Sequence, residues 1–200
     1  MFGLFGLSLP CDGDIGDHLA KLSNAPFSYP EVGALKALTF PSGYRIDHHR
    51  WRLGHGAACY ERAKAALQRW EMFALDWVKL SPPAPPIAAR TVVGISARLF
   101  GSWLLNICRI VYVIDEKQPP IYFGFGLGTL EWHALSGEER FCIEWNHADD
   151  SVWYDVHAFS RPQTLLALAA YPVVRRLQER FIRDSSAAIA RASALEVRPR

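Results

Sequence analysis

The sequence predicts an α+β fold in which a curved antiparallel sheet is covered by helices. Three observations support this prediction. Five β-rich runs follow one another after residue 90, with short separators between them. Helical periodicity precedes them at 57–76, and a second helical stretch closes the chain at 162–192. A strongly curved sheet has a concave apolar face that must be buried, and a long terminal helix lying across it would bury that face.

The elements before the β-rich region are predicted to be short. Asp14 or Asp17 could cap a helix that runs to Leu22. The prolines and glycines between Pro26 and Gly43 forbid a long element there. Tyr44–Leu53 is predicted as a strand and Trp77–Leu80 as a short strand. Between them, apolar residues at spacings of three and four predict an amphipathic helix over Ala57–Asp76.

The predicted sheet is built mainly from consecutive strands. The five runs are Thr91–Phe100, Leu104–Ile114, Ile121–Leu130, Glu138–Asn146 and Ser151–Ser160. Their separators are short enough to join antiparallel neighbours, whereas parallel strands need long crossovers. We therefore expect an antiparallel sheet of about six to seven strands.

The last element is predicted as a helix from about Pro162 to Ala192. Pro162 suits the first turn of a helix, and Pro172 should kink or divide it. We expect its apolar stripe to pack across the concave face of the sheet, with Leu177 largely buried. The stripe consists of Leu166, Ala169, Val173, Leu177 and Phe181.

The run at 122–130 should form a strand with one bare face. Its two faces carry Gly124, Gly126 and Gly128 on one side and Phe123, Phe125 and Leu127 on the other. The glycine face would let another group approach the backbone closely. A dinucleotide-binding loop is excluded, because its glycines follow a different spacing and open a helix.

Composition narrows the class of protein. Half of the 200 residues are apolar and 21% are charged, which is enough for one soluble domain with a sizeable core. A net charge of +2 is too small to imply nucleic acid as a partner. The four cysteines share no C-x-x-C spacing and favour buried free thiols in a reducing compartment, hence a cytoplasmic location: they are Cys11, Cys59, Cys108 and Cys142.

The N-terminal sequence MFGLFGLSLP is apolar. It lacks the positive region of a signal peptide and is shorter than the ~20 apolar residues that span a bilayer. We expect it to pack on the domain, with contact to a membrane surface or a partner as the alternative. The predicted organisation is an N-terminal extension packed on the core over 1–42, one domain over 43–193 and a disordered tail over 194–200.

The order of elements over residues 43–193 resembles the helix-grip fold of the START and birch-pollen-allergen superfamily, in which the sheet wraps the last helix and leaves a cavity between them. Local motifs resemble an uncharacterised family known as domain of unknown function nineteen-ninety. The motifs are YPEVG at 29–33, GYR at 43–45, RLGHG at 52–56, YERA at 60–63, CRIVYVIDE at 108–116, GFGLGTL at 124–130, GEERF at 137–141 and AFSRP at 158–162. Where that family tends to have Thr and Arg after VGA, this chain has Leu35 and Lys36. The resemblance implies the helix-grip fold and implies no reaction.

Two charged residues interrupt apolar faces of predicted strands. Arg109 shares its face with apolar neighbours in one run, and Glu139 does so in another. An unpaired buried charge is costly, so each must be paired or must face a wet cavity. We interpret them either as polar groups of a ligand cavity, with Arg109 anchoring an anionic head group, or as one structural ion pair. We expect them to face the cavity within reach of one another, across neighbouring or next-neighbouring strands. A direct pair would indicate a structural role, whereas two groups standing apart around a pocket would each be free to meet a ligand.

Other candidates for the cavity come from the same strands and from an irregular loop. Tyr112 and His157 could supply further polar groups, and Asp155 lies on the same strand face as His157 and could orient it. Phe123 and Phe125 would form part of an apolar lining. Tyr29 and Glu31, in YPEVG, belong to a segment that could serve either as a functional loop or as a structural plug.

No recognised catalytic or cofactor signature is present. Glu138 and Glu139 are adjacent, so in a strand they point to opposite faces and cannot form a catalytic carboxylate pair. The histidines show no metal-binding spacing, and no serine lies in a nucleophile elbow. We therefore predict no cofactor and no metal.

Three functions remain open at this stage. The first is binding of an apolar or amphipathic small molecule, such as a lipid or isoprenoid, between the sheet and the C-terminal helix. The second is an enzyme that uses this cavity for acid–base chemistry through Glu139 or His157. The third is a membrane-associated or interaction protein that uses its apolar N-terminus.

Overall fold

The structure, a computed structural model, describes residues 5–6, 12–131 and 133–194. It is an antiparallel sheet with helices on its inner face and an N-terminal segment on its outer face. The strands are β1 (Phe5–Gly6), β2 (Arg45–His55), β3 (Val78–Ser81), β4 (Val92–Leu99), β5 (Ser102–Glu116), β6 (Ile121–Thr129), β7 (Leu135–Asn146) and β8 (Ser151–Pro162). The helices are α1 (Asp12–Leu22), α2 (Ala57–Gln68), α3 (Leu165–Ala169) and α4 (Tyr171–Ser193), with 3-10 turns at Ala34–Ala37 and Glu71–Phe73.

The sheet order is β2-β8-β7-β6-β5-β4-β3, and β1 pairs with the start of β5. Five of the strands follow one another as antiparallel neighbours from β4 to β8. The first long strand, β2, returns beside the last one, β8. This arrangement confirms the predicted curved antiparallel sheet with a long C-terminal helix, which is the helix-grip fold.

The predicted helix that runs to Leu22 is confirmed as α1, whereas the two longer predicted helices are each divided. The predicted helix over Ala57–Asp76 ends at Gln68, because Trp70 takes a left-handed conformation with φ 61° before the 3-10 turn. Pro172 lies in the first turn of α4, where proline is tolerated, and the break before it separates α3 from α4. Pro162 was expected in a helix but ends β8, and the hydroxyl of Thr164 instead accepts a hydrogen bond from the Ala167 backbone N–H at 3.1 Å.

The inner face of the sheet is covered by α2 and α4. The C-terminal half of α4 packs closely, with Ile189 fully buried in the main core cluster. Aromatic contacts fill this half of the interior: the ring centroids of Trp70 and Phe125 are 4.8 Å apart, and those of Phe141 and Phe181 are 6.3 Å apart.

The N-terminal half of α4 stands away from the sheet. Leu177 packs against the edge of the core but is only half-buried, which is less than the large burial that was expected. The apolar stripe of α4 therefore faces the sheet, but open space remains between this half of the helix and the sheet. The side chain of Leu166, which belongs to the predicted stripe, lies outside the described part of the chain.

The outer face of the sheet is covered by residues 12–40. Ile15 of α1 packs with Leu105 and Ile107 of β5. The bare face predicted at 122–130 also lies here: a methyl group on Gly126 would meet the ring of Tyr112, and one on Gly128 would meet Tyr29 and Phe27. The glycines thus make room for aromatic side chains that seal this face.

Two predictions about the termini fall largely on residues that the structure does not describe. Of the apolar N-terminus only Phe5–Gly6 is described, as a short strand against β5. Residues 195–200, most of the predicted tail, lie outside the described part. Among the described helices, none combines the length and the apolar composition that crossing a bilayer requires.

Candidate functional site

A cavity of about 480 Å³ lies between the inner face of the sheet, α3 and the N-terminal half of α4. It occupies the space that α4 leaves open in front of Leu177. Most of the lining is apolar and comes from both layers, including Val78, Ile95, Leu104, Leu127, Val156, Val173, Leu177 and Phe181. The volume falls in the range of about 300–1,000 Å³ that is typical of small-molecule sites.

Glu139 of β7 places a carboxyl group on the largely apolar wall of the cavity. It lies opposite Leu127 of β6 and Ala158 of β8, both of which also line the cavity. Within the described residues, no group hydrogen-bonds to its carboxylate. Burial, and secondarily the negative charge of Asp47, raises the pKa of Glu139 to about 8. At neutral pH the side chain is therefore largely a protonated acid that can donate a hydrogen bond.

The polar edge of the cavity is formed by β2 and α4. Asp47 of β2 lies opposite Ala158 of β8, which in turn lies opposite Glu139, so Asp47 is two strands from Glu139 in the same row of the sheet. Its carboxylate accepts two hydrogen bonds from the Arg175 guanidinium, at 2.6 and 2.9 Å. This bidentate ion pair engages the only Lys or Arg side chain found among the described residues of the lining.

His133 contributes a second polar group to the lining. Burial lowers the pKa of its imidazole to about 4, so the ring is neutral at physiological pH. Its Nδ1 atom accepts a hydrogen bond from the Leu135 backbone N–H at 2.9 Å. The ring is thus held in one orientation as a neutral group.

Arg109 does not face this cavity, and the expected proximity to Glu139 is wrong. The guanidinium lies on the outer face, where it donates hydrogen bonds to the carbonyl oxygens of Ser23 (2.8 Å) and Ala25 (2.7 Å) and stacks over Phe27 at 4.3 Å. The inner face at this point belongs to its neighbours in β5, Cys108 and Ile110, which pack in the main core. Both faces of β5 are covered by protein, so its apolar pattern did not reveal which face was inner.

Tyr112 is also on the outer face. A register shift between Ile110 and Tyr112 interrupts the alternation of β5. The Tyr112 ring lies against Gly126, and its buried hydroxyl lies near Glu138 without reaching hydrogen-bond geometry. Tyr112 therefore fills the glycine face and does not line the cavity.

Tyr29 and Glu31 hold the N-terminal segment on the sheet. Glu138 accepts hydrogen bonds from the Tyr29 hydroxyl at 2.8 Å and from the backbone N–H groups of Gly33 at 2.7 Å and Leu35 at 3.1 Å. The Glu31 carboxylate accepts one from the Tyr44 hydroxyl at 2.7 Å. The YPEVG and GEERF motifs meet at Glu138, and of the two interpretations of this loop the contacts favour the structural plug.

His157 lies in a polar cluster on the outer face as well. Its Nε2 atom is 3.1 Å from Asp155, which also contacts His48 at 3.0 Å and Arg140 at 3.3 Å. Burial raises the pKa of Asp155, but the hydrogen bonds from the two histidines outweigh this, and the net shift is downward. Asp155 does orient His157, as expected, but away from the cavity.

This cluster brings three potential metal ligands within 4.8 Å of one another. The rings of His48 and His157 are stacked, with centroids 3.8 Å apart and planes inclined by 12°. A metal ion must lie near the plane of each imidazole that binds it, and two parallel stacked rings cannot share one ion in this way. Arg140 beside Asp155 further opposes a cation. The arrangement fits a histidine pair held by a carboxylate.

Phe123 and Phe125 do face inward, but they belong to the filled part of the core. Phe125 is fully buried against Trp70, and Phe123 packs beneath the Lys64 ammonium group at 4.8 Å. Neither lines the open cavity. Of the eight residues predicted for ligand binding, Glu139 alone lies on the cavity wall.

The sequence reasoning missed the other polar groups of the cavity. Asp47 could have been found from the alternation of β2, which places it on the same face as His49. Arg175 lies two positions before Leu177 on α4, but a basic residue on a terminal helix does not by itself indicate a binding site. His133 lies in the loop before β7, where neither the periodicity of a helix nor the alternation of a strand applies.

A sheet wrapped on a C-terminal helix, with a cavity between the two, defines the class: this is a helix-grip protein. The model of the family described as "Domain of unknown function (DUF1990)" matches residues 28–188, and the chain belongs to this family. The match includes the loop that holds Glu138 and the strand that carries Glu139.

Curated relatives extend over most of the chain. It is 34% identical to a UPF0548 protein of Dictyostelium discoideum over 199 residues, covering 91% of this chain and 92% of the relative. A UPF0548 protein of Deinococcus radiodurans is 35% identical over 202 residues, covering 95% and 99%. A third, from Arabidopsis thaliana, is 37% identical over 150 residues, covering 74% and 72%.

Solved structures with similar folds are distant in sequence. A hypothetical protein of Helicobacter pylori, jhp0584, matches with a TM-score of 0.51 and 10% identity, over 76% of this chain and 88% of that one. Ara h 8.0201 matches with a TM-score of 0.44 and 10% identity, over 74% and 98%. The first of these likenesses supports the fold and nothing beyond it.

Proposed function

We propose that this protein binds an apolar or amphipathic small molecule, such as a lipid or isoprenoid, in the cavity between the sheet and α4. The observation that carries the proposal is the combination of a preformed cavity, a largely apolar wall and one carboxyl group on that wall without a hydrogen-bond partner in the described chain. Ligand sites are typically apolar with a few placed polar groups. Cores without a ligand function are instead packed closely.

Filling the cavity tests this proposal directly. Ala158 lies beside Glu139 on the cavity wall, so Ala158→Phe would place a ring in the open space. Binding of the apolar dye Nile red, followed by fluorescence, is expected to fall at least about tenfold, a loss of about 1.4 kcal/mol. Ala148→Phe, in an exposed turn, is the matched control and should bind the dye normally. Equal binding by both variants would refute the cavity as the site.

Acid–base catalysis in the same cavity is the second candidate. A pKa of about 8 at Glu139 suits a general acid or base at neutral pH. Catalysis also needs a partner that orients the carboxyl group, and no described side chain hydrogen-bonds to Glu139. Binding is therefore the function we favour.

Peripheral contact with a membrane is a compatible proposal. Phe100 at the β4–β5 turn is 88% exposed, and Leu165 of α3 is 86% exposed. Both elements border the cavity, which Leu99 and Ala167 line from either side. Exposed apolar side chains at the rim would let a ligand pass between a bilayer and the cavity. Co-sedimentation with lipid vesicles should fall in a Phe100→Ser, Leu165→Ser double variant, and unchanged co-sedimentation would exclude this contact.

A cytoplasmic location and the division of the chain at residues 42 and 193 are kept as proposals. Cys59, Cys108 and Cys142 are buried free thiols, as expected in a reducing compartment. Burial raises the pKa of Cys142 to about 12, so this thiol is unreactive. We propose neither a cofactor nor nucleic acid as a partner.

A further inference from the structure

We propose that the ligand carries a cationic group, an ammonium or protonated amine on an apolar body, and that this group pairs with the Glu139 carboxylate. The inference rests on the proposed function, since it names the chemistry of the molecule that the cavity holds. It replaces the anionic head group expected when Arg109 was assigned to the cavity.

Glu139 places a carboxyl group on the cavity wall, unpaired within the described chain. Its side chain is partly buried, lies on the cavity wall and has no hydrogen-bond partner among the described residues. An isolated ionised carboxylate in an apolar surrounding is unfavourable, and in proteins such groups are paired or become neutral. Among the described residues, no Lys, Arg or His side chain forms an ion pair with it.

The charged groups of the cavity wall determine which head group it can bind. Arg175 is already committed to Asp47 through two short hydrogen bonds. His133 is held neutral by burial. Glu138 also borders the cavity through its backbone, but its carboxylate is turned to the outer face and satisfied there. His49 and Glu179 also line the cavity, with exposed side chains. Among the described residues of the wall, no Lys or Arg is left unpaired for an anionic head group, whereas the Glu139 carboxyl group is available to a cationic one.

The possible head groups of a ligand differ in how they would interact with this wall. A ligand carboxylate would lose its hydration without meeting an unpaired Lys or Arg among the described residues of the wall, so its burial would be unfavourable. A neutral hydroxyl could accept a hydrogen bond from protonated Glu139, with a modest net gain. An ammonium group would form a charge-assisted pair out of water, and this interaction is roughly twice as strong as a neutral hydrogen bond.

Three amphiphiles with one chain length test the proposal. Dodecylamine, dodecanol and dodecanoate would each be titrated against the Nile red complex at about pH 7, below their micelle-forming concentrations. We expect dodecylamine to displace the dye about tenfold more tightly than dodecanol, and dodecanoate to be the weakest. In Glu139→Gln the advantage of the amine should disappear. Glu116→Gln, which removes an exposed carboxylate outside the cavity, should retain it.

Proton release gives an independent measurement. Pairing with an ammonium group lowers the pKa of Glu139, so binding of dodecylamine at about pH 7 should release close to one proton, and binding of dodecanol none. Calorimetry in two buffers with different ionisation enthalpies reads this number. The released proton should vanish in Glu139→Gln.

The outcomes separate the two proposals. If dodecanol or dodecanoate binds as tightly as the amine, or if Glu139→Gln keeps the preference, the cationic ligand is wrong while ligand binding stands. If Nile red and all three amphiphiles fail to bind a folded protein, the cavity has no ligand function and both proposals fall.

Discussion

Glu138 and Glu139 are neighbours in β7, and they face opposite sides of the sheet. On the outer face, Glu138 accepts three hydrogen bonds from the loop that covers it. On the inner face, Glu139 lies beside open space and accepts none from the described chain. Burial raises the pKa of both carboxyl groups, but only at Glu138 do hydrogen bonds counter that rise.

This difference distinguishes a buried carboxyl group that stabilises the fold from one that is free to interact with another molecule. A buried carboxylate surrounded by donors from its own chain holds two parts of the fold together. A carboxyl group left without such donors, next to a cavity, has its interaction energy available for another molecule. The outer face of this protein is completed by its own N-terminal segment, whereas the inner face keeps an open cavity beside Glu139, which we propose holds a ligand.

The largest effect is expected from substitution of Glu138. In Glu138→Gln the amide NH₂ would face the backbone N–H of Gly33 or Leu35, so at least one buried donor would lose its partner. We expect the free energy of unfolding to fall by about 3 kcal/mol or more. Urea denaturation at about pH 7 measures this loss. Glu139→Gln is the matched control, and similar losses in both variants would contradict the distinction between the two faces.

The second effect is the pH dependence contributed by Glu139. Its folded pKa of about 8 lies above the ordinary value of 4.5, so the folded state binds the proton more tightly than the unfolded state. This contribution to stability is complete below pH 4.5 and is lost as the pH rises towards 8, by at most about 1.4 kcal/mol per pH unit.

Glu139→Gln removes this dependence. The variant should therefore gain stability relative to the parent as the pH increases over that interval, as measured by urea denaturation at several pH values. A difference between the two proteins that stays constant with pH would show that Glu139 is ionised in the folded state.

The sequence was sufficient for the architecture. Short separators between the β-rich runs determined antiparallel neighbours, and Pro172 marked the division of the C-terminal helix. Alternation also placed Glu138 and Glu139 on opposite faces. These features depend on local geometry, which the spacing of residues records directly.

The sequence did not show which face of each strand lines the cavity. Arg109 and Tyr112 lie in a strand whose two faces are both covered, one by helices and one by the N-terminal segment, so apolar alternation had no solvent side to act as a reference. The register shift after Ile110 then moved Tyr112 to the outer face. Asp47 and Arg175 meet across 128 residues of sequence, and no local pattern predicts such a contact.

The third prediction concerns Tyr112, whose ring covers Gly126 on the outer face of the sheet. A methyl group in Gly126→Ala would lie 2.5 Å from the Tyr112 ring, so the ring or the strand must shift. We expect a loss of about 2 kcal/mol in the free energy of unfolding. Gly16→Ala, where nothing lies within 4 Å, is the control and should be neutral or slightly stabilising. In a Tyr112→Ala background, Gly126→Ala should cost much less, and an undiminished cost would show that another contact is responsible.

The smallest effect is expected from Arg109→Leu, which sharpens the comparison because it separates stability from binding. The substitution removes two hydrogen bonds and a ring contact that hold residues 23–27 on the outer face. Arg109 is partly exposed, so the loss of stability should be only about 1 kcal/mol. Nile red affinity and the order of the three amphiphiles should not change, because the guanidinium lies on the far side of the sheet from Glu139. A variant that unfolds at the parental urea concentration but binds ligand more weakly would reverse the assignment and return Arg109 to the cavity.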